Sequence, residues 1–156
     1  FYPLAYYTAY YTIRATGFNY SLMCMGREKL EYNISEYKKK TDATAKDADT
    51  LRDMRIVQEM YARKIEFEPI DIYKAQAQKF IITEERKIMP ALSSIDGLGE
   101  IAANQIANAA AGGKFISKDD LMERAKIGKS TAELLENLGL LQGLPQSSQI
   151  SIFDLY

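Results

Sequence analysis

The sequence predicts a mainly α protein in three parts: a helical first half, a small β-hairpin, and a second half built of two successive helical hairpins. Three observations carry this. Leu51, Met54, Val57, Tyr61 and Ile65 repeat at helical spacing, with charges on the opposite face. Two glycine-centred turns, Ile95-Asp96-Gly97-Leu98-Gly99 and Ile127-Gly128-Lys129, each lead into a run of helix formers. Phe80-Ile81-Ile82-Thr83 and Lys87-Ile88-Met89 flank the polar Glu84-Glu85-Arg86, the pattern of a short hairpin.

Taken in order, Pro3 suits the first turn of a helix on which Leu4, Tyr7, Tyr11 and Arg14 share a face, and Gly17 is placed to end it. Tyr2, Tyr6, Tyr7, Tyr10 and Tyr11 fit two readings: stacking on bases or sugars, or packing against a neighbouring domain. Residues 21–26 suit a short buried helix. Another helix starts near Asn33 and runs into Lys38-Lys39-Lys40, which suit either phosphate contact or a solvated helix end. Residues 41–44 read as a loop and 47–64 as a helix. Residues 67–70 are extended, because Glu68 precedes Pro69. Asp71 is placed to cap a short helix over 72–78.

Composition narrows the chemistry. The 156 residues, 47% of them apolar, suffice for one or two small domains with a core. Lys and Arg number 20 and Asp and Glu 21, a net charge of -1, so the global basic signature of a nucleic-acid binder is missing. No histidine is present, which excludes His-based triads and most zinc sites. Cys24 stands alone, so there is no internal disulfide or cysteine cluster, and a lone thiol suits a reducing cytosol. No apolar run reaches the roughly 18 residues of a membrane span, and no signal peptide is read. The opening on Phe1, inside an apolar pattern, reads as a fragment of a longer chain.

The second half holds the most specific pattern. Residues 90–95 read as a short helix with Pro90 in its first turn. Residues 100–110 form a second helix, with an apolar stripe through Ile101 and Ile106, stopped by Gly112-Gly113. Between them, Gly97 supplies a positive φ and Leu98 pins the turn to the core. Gly99 lets backbone approach a phosphate, and the amides of Glu100 and Ile101 open a helix N-terminus. This is a helix-hairpin-helix pattern that suits DNA-backbone binding; an αα-hairpin needing glycine only to turn is the alternative. A second copy follows: Ser117 caps one helix, and Lys126, Gly128, Lys129 and Ser130 form the next turn, with lysines the first hairpin lacks. A helical pair that merely completes the core is equally open. From Ala91 onward five cations face eight carboxylates, a net of -3, so the isolated segment is expected to bind weakly.

The last residues, Gln149, Ile150, Ser151, Ile152 and Phe153, follow the polar linker Gln146-Ser147-Ser148. They read either as a linear peptide that fills a partner's pocket or as a final strand.

In their order, several segments resemble the C-terminal end of the PolC-type bacterial replicative DNA polymerase, the α subunit of DNA polymerase III. They are Tyr2-Pro3-Leu4 with Tyr6-Tyr7, Asp71-x-Tyr73, Phe80-Ile81-Ile82, Ile95-x-Gly97-Leu98-Gly99, Phe115-x-Ser117 with Asp120-Leu121, and Gln149 to Phe153. The resemblance implies the end of the fingers region in residues 1–66 and an extended linker with a short helix and the β-hairpin in 67–89. It implies a tandem helix-hairpin-helix duplex-binding domain in 90–144 and a tail with a sliding-clamp peptide in 145–156. It further implies three partners: primer-template duplex DNA, the bacterial sliding clamp and the rest of the polymerase chain. The setting is the bacterial cytoplasm at the nucleoid. The parent enzyme adds deoxynucleotides with Mg at palm carboxylates. No such cluster is read here, so no catalytic residue, metal ligand or cofactor is assigned to this segment. Asp96 departs from the family, which often has an uncharged or basic residue there. A non-catalytic helix-hairpin-helix scaffold of a repair or recombination protein is the alternative, and a structural helical domain that binds protein only is a third.

Overall fold

Thr44 starts the longest helix with a capping box. Its hydroxyl accepts from the Asp47 amide at 3.1 Å, and the Asp47 carboxylate accepts from the Thr44 amide at 3.0 Å. In the computed structural model, which describes residues 2–147, this is α4 (Ala45–Ala62). Before it come α1 (Pro3–Ile13), α2 (Tyr20–Met23) and α3 (Arg27–Lys38). After it come β1 (Ile81–Ile82) and β2 (Ile88–Met89), one turn of 3-10 helix (Leu92–Ser94), then α5 (Glu100–Ala111), α6 (Lys118–Ala125) and α7 (Lys129–Asn137). The fold is mainly helical, with one two-stranded antiparallel sheet pairing Ile81 with Met89 and Ile82 with Ile88.

Two apolar cores result. The first joins α1, α3 and α4 around an aromatic knot of Tyr11, Phe18, Phe67 and Phe80, with Tyr11 and Phe80 centroids 5.6 Å apart. The second gathers the hairpin helices with Tyr20, Ile70, Ile72 and Met89. Residues 67–89 therefore feed both cores: Phe67, Phe80 and Ile88 go to the first, Ile70, Ile72 and Met89 to the second.

The predicted buried face of α1 is present in Leu4, Tyr7 and Tyr11. Base stacking is closed to Tyr7 and Tyr11, since Tyr7 donates to Glu59 Oε1 at 2.5 Å and Tyr11 is fully buried with its hydroxyl on Met60 Sδ at 3.3 Å. Tyr2 and Tyr6 remain exposed. Burial, helped by the bond to Glu59, pushes the Tyr7 hydroxyl up to about 12. The lysine triplet is a solvated end: Lys39 pairs with Glu36, and Lys40 pairs with Asp47 while lying 4.4 Å from the Tyr37 ring centroid.

Four expectations need correction. Helix α1 ends at Ile13 and the chain leaves it through turns, so Gly17 is not its stop. Helix α3 begins at Arg27, before Asn33. No helix covers 72–78. Asp71 closes a single turn, its carboxylate accepting from the Tyr73 amide at 2.8 Å. Past it the amides of Gln76, Ala77 and Gln78 make no bond back to Ile72, Tyr73 and Lys74, and the carbonyls of Gln76 and Ala77 accept instead from the amides of Leu92 and Ser93, at 3.0 and 2.9 Å. Lastly, residues 90–95 form only the one 3-10 turn over Leu92–Ser94, with Pro90 ahead of it and Ala91 extended.

Candidate nucleic-acid interface

The first turn runs between the 3-10 turn and α5. Gly97 takes φ +90°, a conformation that L side chains resist, and an added Cβ would stand 3.4 Å from Leu134 Cδ2 on α7. Leu98 is buried beneath the turn while Gly97, Gly99, Glu100 and Ile101 are exposed. Gly99 is the N-cap of α5, with φ -74° and ψ 167° and no side-chain cap. A Cβ on Gly99 would meet nothing within 4 Å, so neither backbone angle nor internal packing requires glycine there.

The second turn repeats the first 29 residues later. Lys126 occupies the left-handed conformation, φ 57° and ψ 44°, where the first turn has Gly97. Ile127 is buried as Leu98 is. Gly128 is the N-cap of α7 at φ -83° and ψ 174°, uncapped by any side chain and open to 4 Å, as Gly99 is. The repeat continues inward: Ala103 and Ile106 of α5 correspond to Ala132 and Leu135 of α7, and all four are buried. Lys126, Gly128, Lys129 and Ser130 are exposed, and neither lysine has an ion-pair partner among the described residues.

Helix α6 gives an internal comparison. Its first amides are all taken: Lys118 donates to the Pro145 carbonyl at 2.9 Å, Asp119 to the Gln146 carbonyl at 3.1 Å, and Asp120 to Ser117 Oγ at 3.0 Å. At α5 and α7 the first backbone bonds come from Ala103 to Gly99 and Ala132 to Gly128. The amides of Glu100, Ile101 and Ala102, and of Lys129, Ser130 and Thr131, have no partner among the described residues. Each glycine thus presents three aligned donors at a positive helix end, a geometry suited to an anion.

One expected feature moves. Ile101 is not part of the buried stripe of α5, which runs through Ala103, Ile106 and Ala110; it is 76% exposed beside the free amides. One residue carries more than sequence reasoning gave it. Arg124, counted above only as a surface cation, donates to the carbonyls of Ala109 (2.7 Å), Gly113 (2.9 Å) and Lys114 (3.1 Å) and pairs with Asp120. Its guanidinium lies 4.5 Å from the Phe115 ring centroid. It closes the C-terminal end of α5 from α6, locking one hairpin to the other. The predicted tail peptide, Gln149 to Phe153, lies outside the described residues.

Among the described residues no group of three or more carboxylate or thiol side chains is arranged to hold a metal, and no helix is long and apolar enough to cross a membrane.

Comparison with known proteins agrees with this geometry. The helix-hairpin-helix motif family matches residues 64–149. The chain is 40% identical over 98% of its length to DNA polymerase III PolC-type of Caldanaerobacter subterraneus subsp. tengcongensis, and to the same extent to that of Clostridium perfringens. It is 37% identical over 97% of its length to that of Listeria monocytogenes. It spans about a tenth of the length of these relatives, 11%, 11% and 10% respectively. The chain belongs to the helix-hairpin-helix family, and over nearly all its length it fits a C-terminal fragment of PolC-type DNA polymerase III.

Proposed function

We propose that this chain is the duplex-holding C-terminal part of a bacterial replicative DNA polymerase, and that its tail docks on the sliding clamp. The observation that carries the first half is the contrast among the three helices of the hairpin region. The amides that open α6 are satisfied internally, while those that open α5 and α7 behind Gly99 and Gly128 are left free. Phosphates on the duplex would meet these donors, with Lys126 and Lys129 adding charge and Gly97 and Leu98 holding the first turn in shape. The reading of the tail rests on the residues Gln149, Ile150, Ser151, Ile152 and Phe153, a linear apolar peptide after a polar linker.

Template-directed deoxynucleotide addition then belongs to the whole polymerase, acting in the bacterial cytoplasm at the nucleoid. Magnesium would serve that reaction in the whole polymerase. The residues of this chain position duplex rather than react with it. Weak electrostatics fit such a shared role, in which other domains and the clamp supply effective concentration.

The test is substitution where glycine has no internal reason. Gly99→Val and Gly128→Val keep ordinary backbone angles and meet open space, so the fold persists. Each should weaken duplex binding by about tenfold, equally for unrelated base sequences, as loss of phosphate hydrogen bonds requires. Unchanged binding, or loss confined to certain sequences, would remove this reading. For the tail, a peptide of residues 146–156 should bind a bacterial sliding clamp and Phe153→Ala should abolish that binding.

A further inference from the structure

The two turns share a backbone but not a chemistry. At equivalent positions the first carries Gly97, Glu100 and Ile101, the second Lys126, Lys129 and Ser130. All six are exposed. The second turn therefore sets two cations, neither with an ion-pair partner among the described residues, beside its free amides. The first sets a carboxylate and an isoleucine that is 76% exposed beside its own.

We propose that the two hairpins hold duplex DNA by unlike forces: the second through ionic contact of Lys126 and Lys129 with phosphates, the first through uncharged contact, with Ile101 lying on the deoxyribose next to the phosphate its amides hold. This rests on the reading of both turns as backbone-binding. Only the second hairpin then releases counterions, so only it contributes to the salt dependence of binding. The first contributes a share that salt leaves alone, because apolar contact and amide hydrogen bonds neutralise no phosphate charge. Lys126 supports the assignment from the backbone side. A lysine holds a left-handed conformation that glycine holds in the first turn, although glycine would adopt it without strain. Glu100 explains why the first hairpin cannot share the ionic work: its carboxylate stands on the first residue of α5, where an added cation would otherwise be most useful.

The experiment is fluorescence anisotropy of the 156-residue chain on a labelled primer-template duplex across a range of salt. Lys126→Gln with Lys129→Gln should flatten the plot of log affinity against log salt by about 1.8, at about 0.9 per phosphate contact. Ile101→Ser should lower affinity about fivefold at every salt concentration and leave the slope unchanged. Parallel plots for the lysine double variant and wild type would overturn the proposal, as would full affinity in Ile101→Ser. Gly99→Val with Gly128→Val separates the two levels. If that variant loses binding while the lysine variant keeps the wild-type slope, only the division of labour fails. If it binds as wild type, or if the wild-type chain does not bind at the lowest salt, the backbone-binding reading fails and this one with it. All the substituted positions are exposed, and unfolding midpoints in urea check that each variant is folded.

Discussion

Lys126 holds at φ +57° the left-handed backbone conformation that Gly97 holds at φ +90° in the preceding hairpin. A side chain there costs on the order of 1 kcal/mol, which a glycine would not. Lys126→Gly should therefore raise stability by up to about 1 kcal/mol while reducing the salt slope of duplex binding by about 0.9. Urea unfolding and salt-dependent anisotropy on the same variant read both. Lower stability would mean that the lysine side chain has an unrecognised structural role.

Arg124 closes the end of α5 with hydrogen bonds to three carbonyls and rests on Phe115. Arg124→Ala should cost about 2 kcal/mol in urea unfolding, since it strips several bonds at once. Arg124→Lys should recover less than half, because an ammonium cannot serve the carbonyls and Asp120 with a planar fork. Equal stability of the Lys variant and wild type would assign the effect to charge alone.

Ser117 is fully buried and caps α6 through the Asp120 amide. Ser117→Ala should lower stability by about 1 kcal/mol and speed hydrogen exchange at Asp120 in particular. Slow exchange at that amide in the variant would show that another acceptor replaces the serine.

Alkaline pH should unfold the first half through its tyrosines. Burial raises Tyr7, Tyr11 and Tyr61, and Tyr7 reaches about 12. A raised phenol means that the folded state keeps its proton after the unfolded state has lost it. Stability is then full below the unfolded value near 10 and falls as pH rises above it, for Tyr7 until about 12. The urea midpoint should decline from about pH 10 upward, and Tyr11→Phe should make that decline shallower. A flat midpoint through that range would contradict the burial seen for these hydroxyls.

Much of the hairpin region was legible because its signals are local. The alanine-rich run before Gly112-Gly113 gives α5, and Ser117 followed by acids gives the start of α6. Residues 72–78 carry a helical pattern, yet the stretch is tied to the 3-10 turn through Leu92 and Ser93, a pairing no window of sequence displays. Arg124 hid for the same reason: besides Asp120 and Phe115, its partners are the carbonyls of Ala109, Gly113 and Lys114, which no window of sequence displays. The equivalence of the two turns was available in principle. Leu98, Ala103 and Ile106 align with Ile127, Ala132 and Leu135 at one constant offset, a stronger signal than counting glycines. Ile101 was placed on the wrong face because an isoleucine near a helical stripe is usually buried, and here it sits one position off it.

Arg124 ties α6 to the end of α5, and Leu134 of α7 lies against the Gly97 turn, so each hairpin is held to the other at two places. A pair of jaws with a fixed gap gauges what is put between them. Duplex whose strands are spaced as the jaws are would seat at both ends at once. A bulged, gapped or misaligned duplex would seat at one end only and leave quickly. On the proposed duplex-holding reading, the locking arginine would make the hairpin pair a template for the regularity of what it holds, with no base read at all.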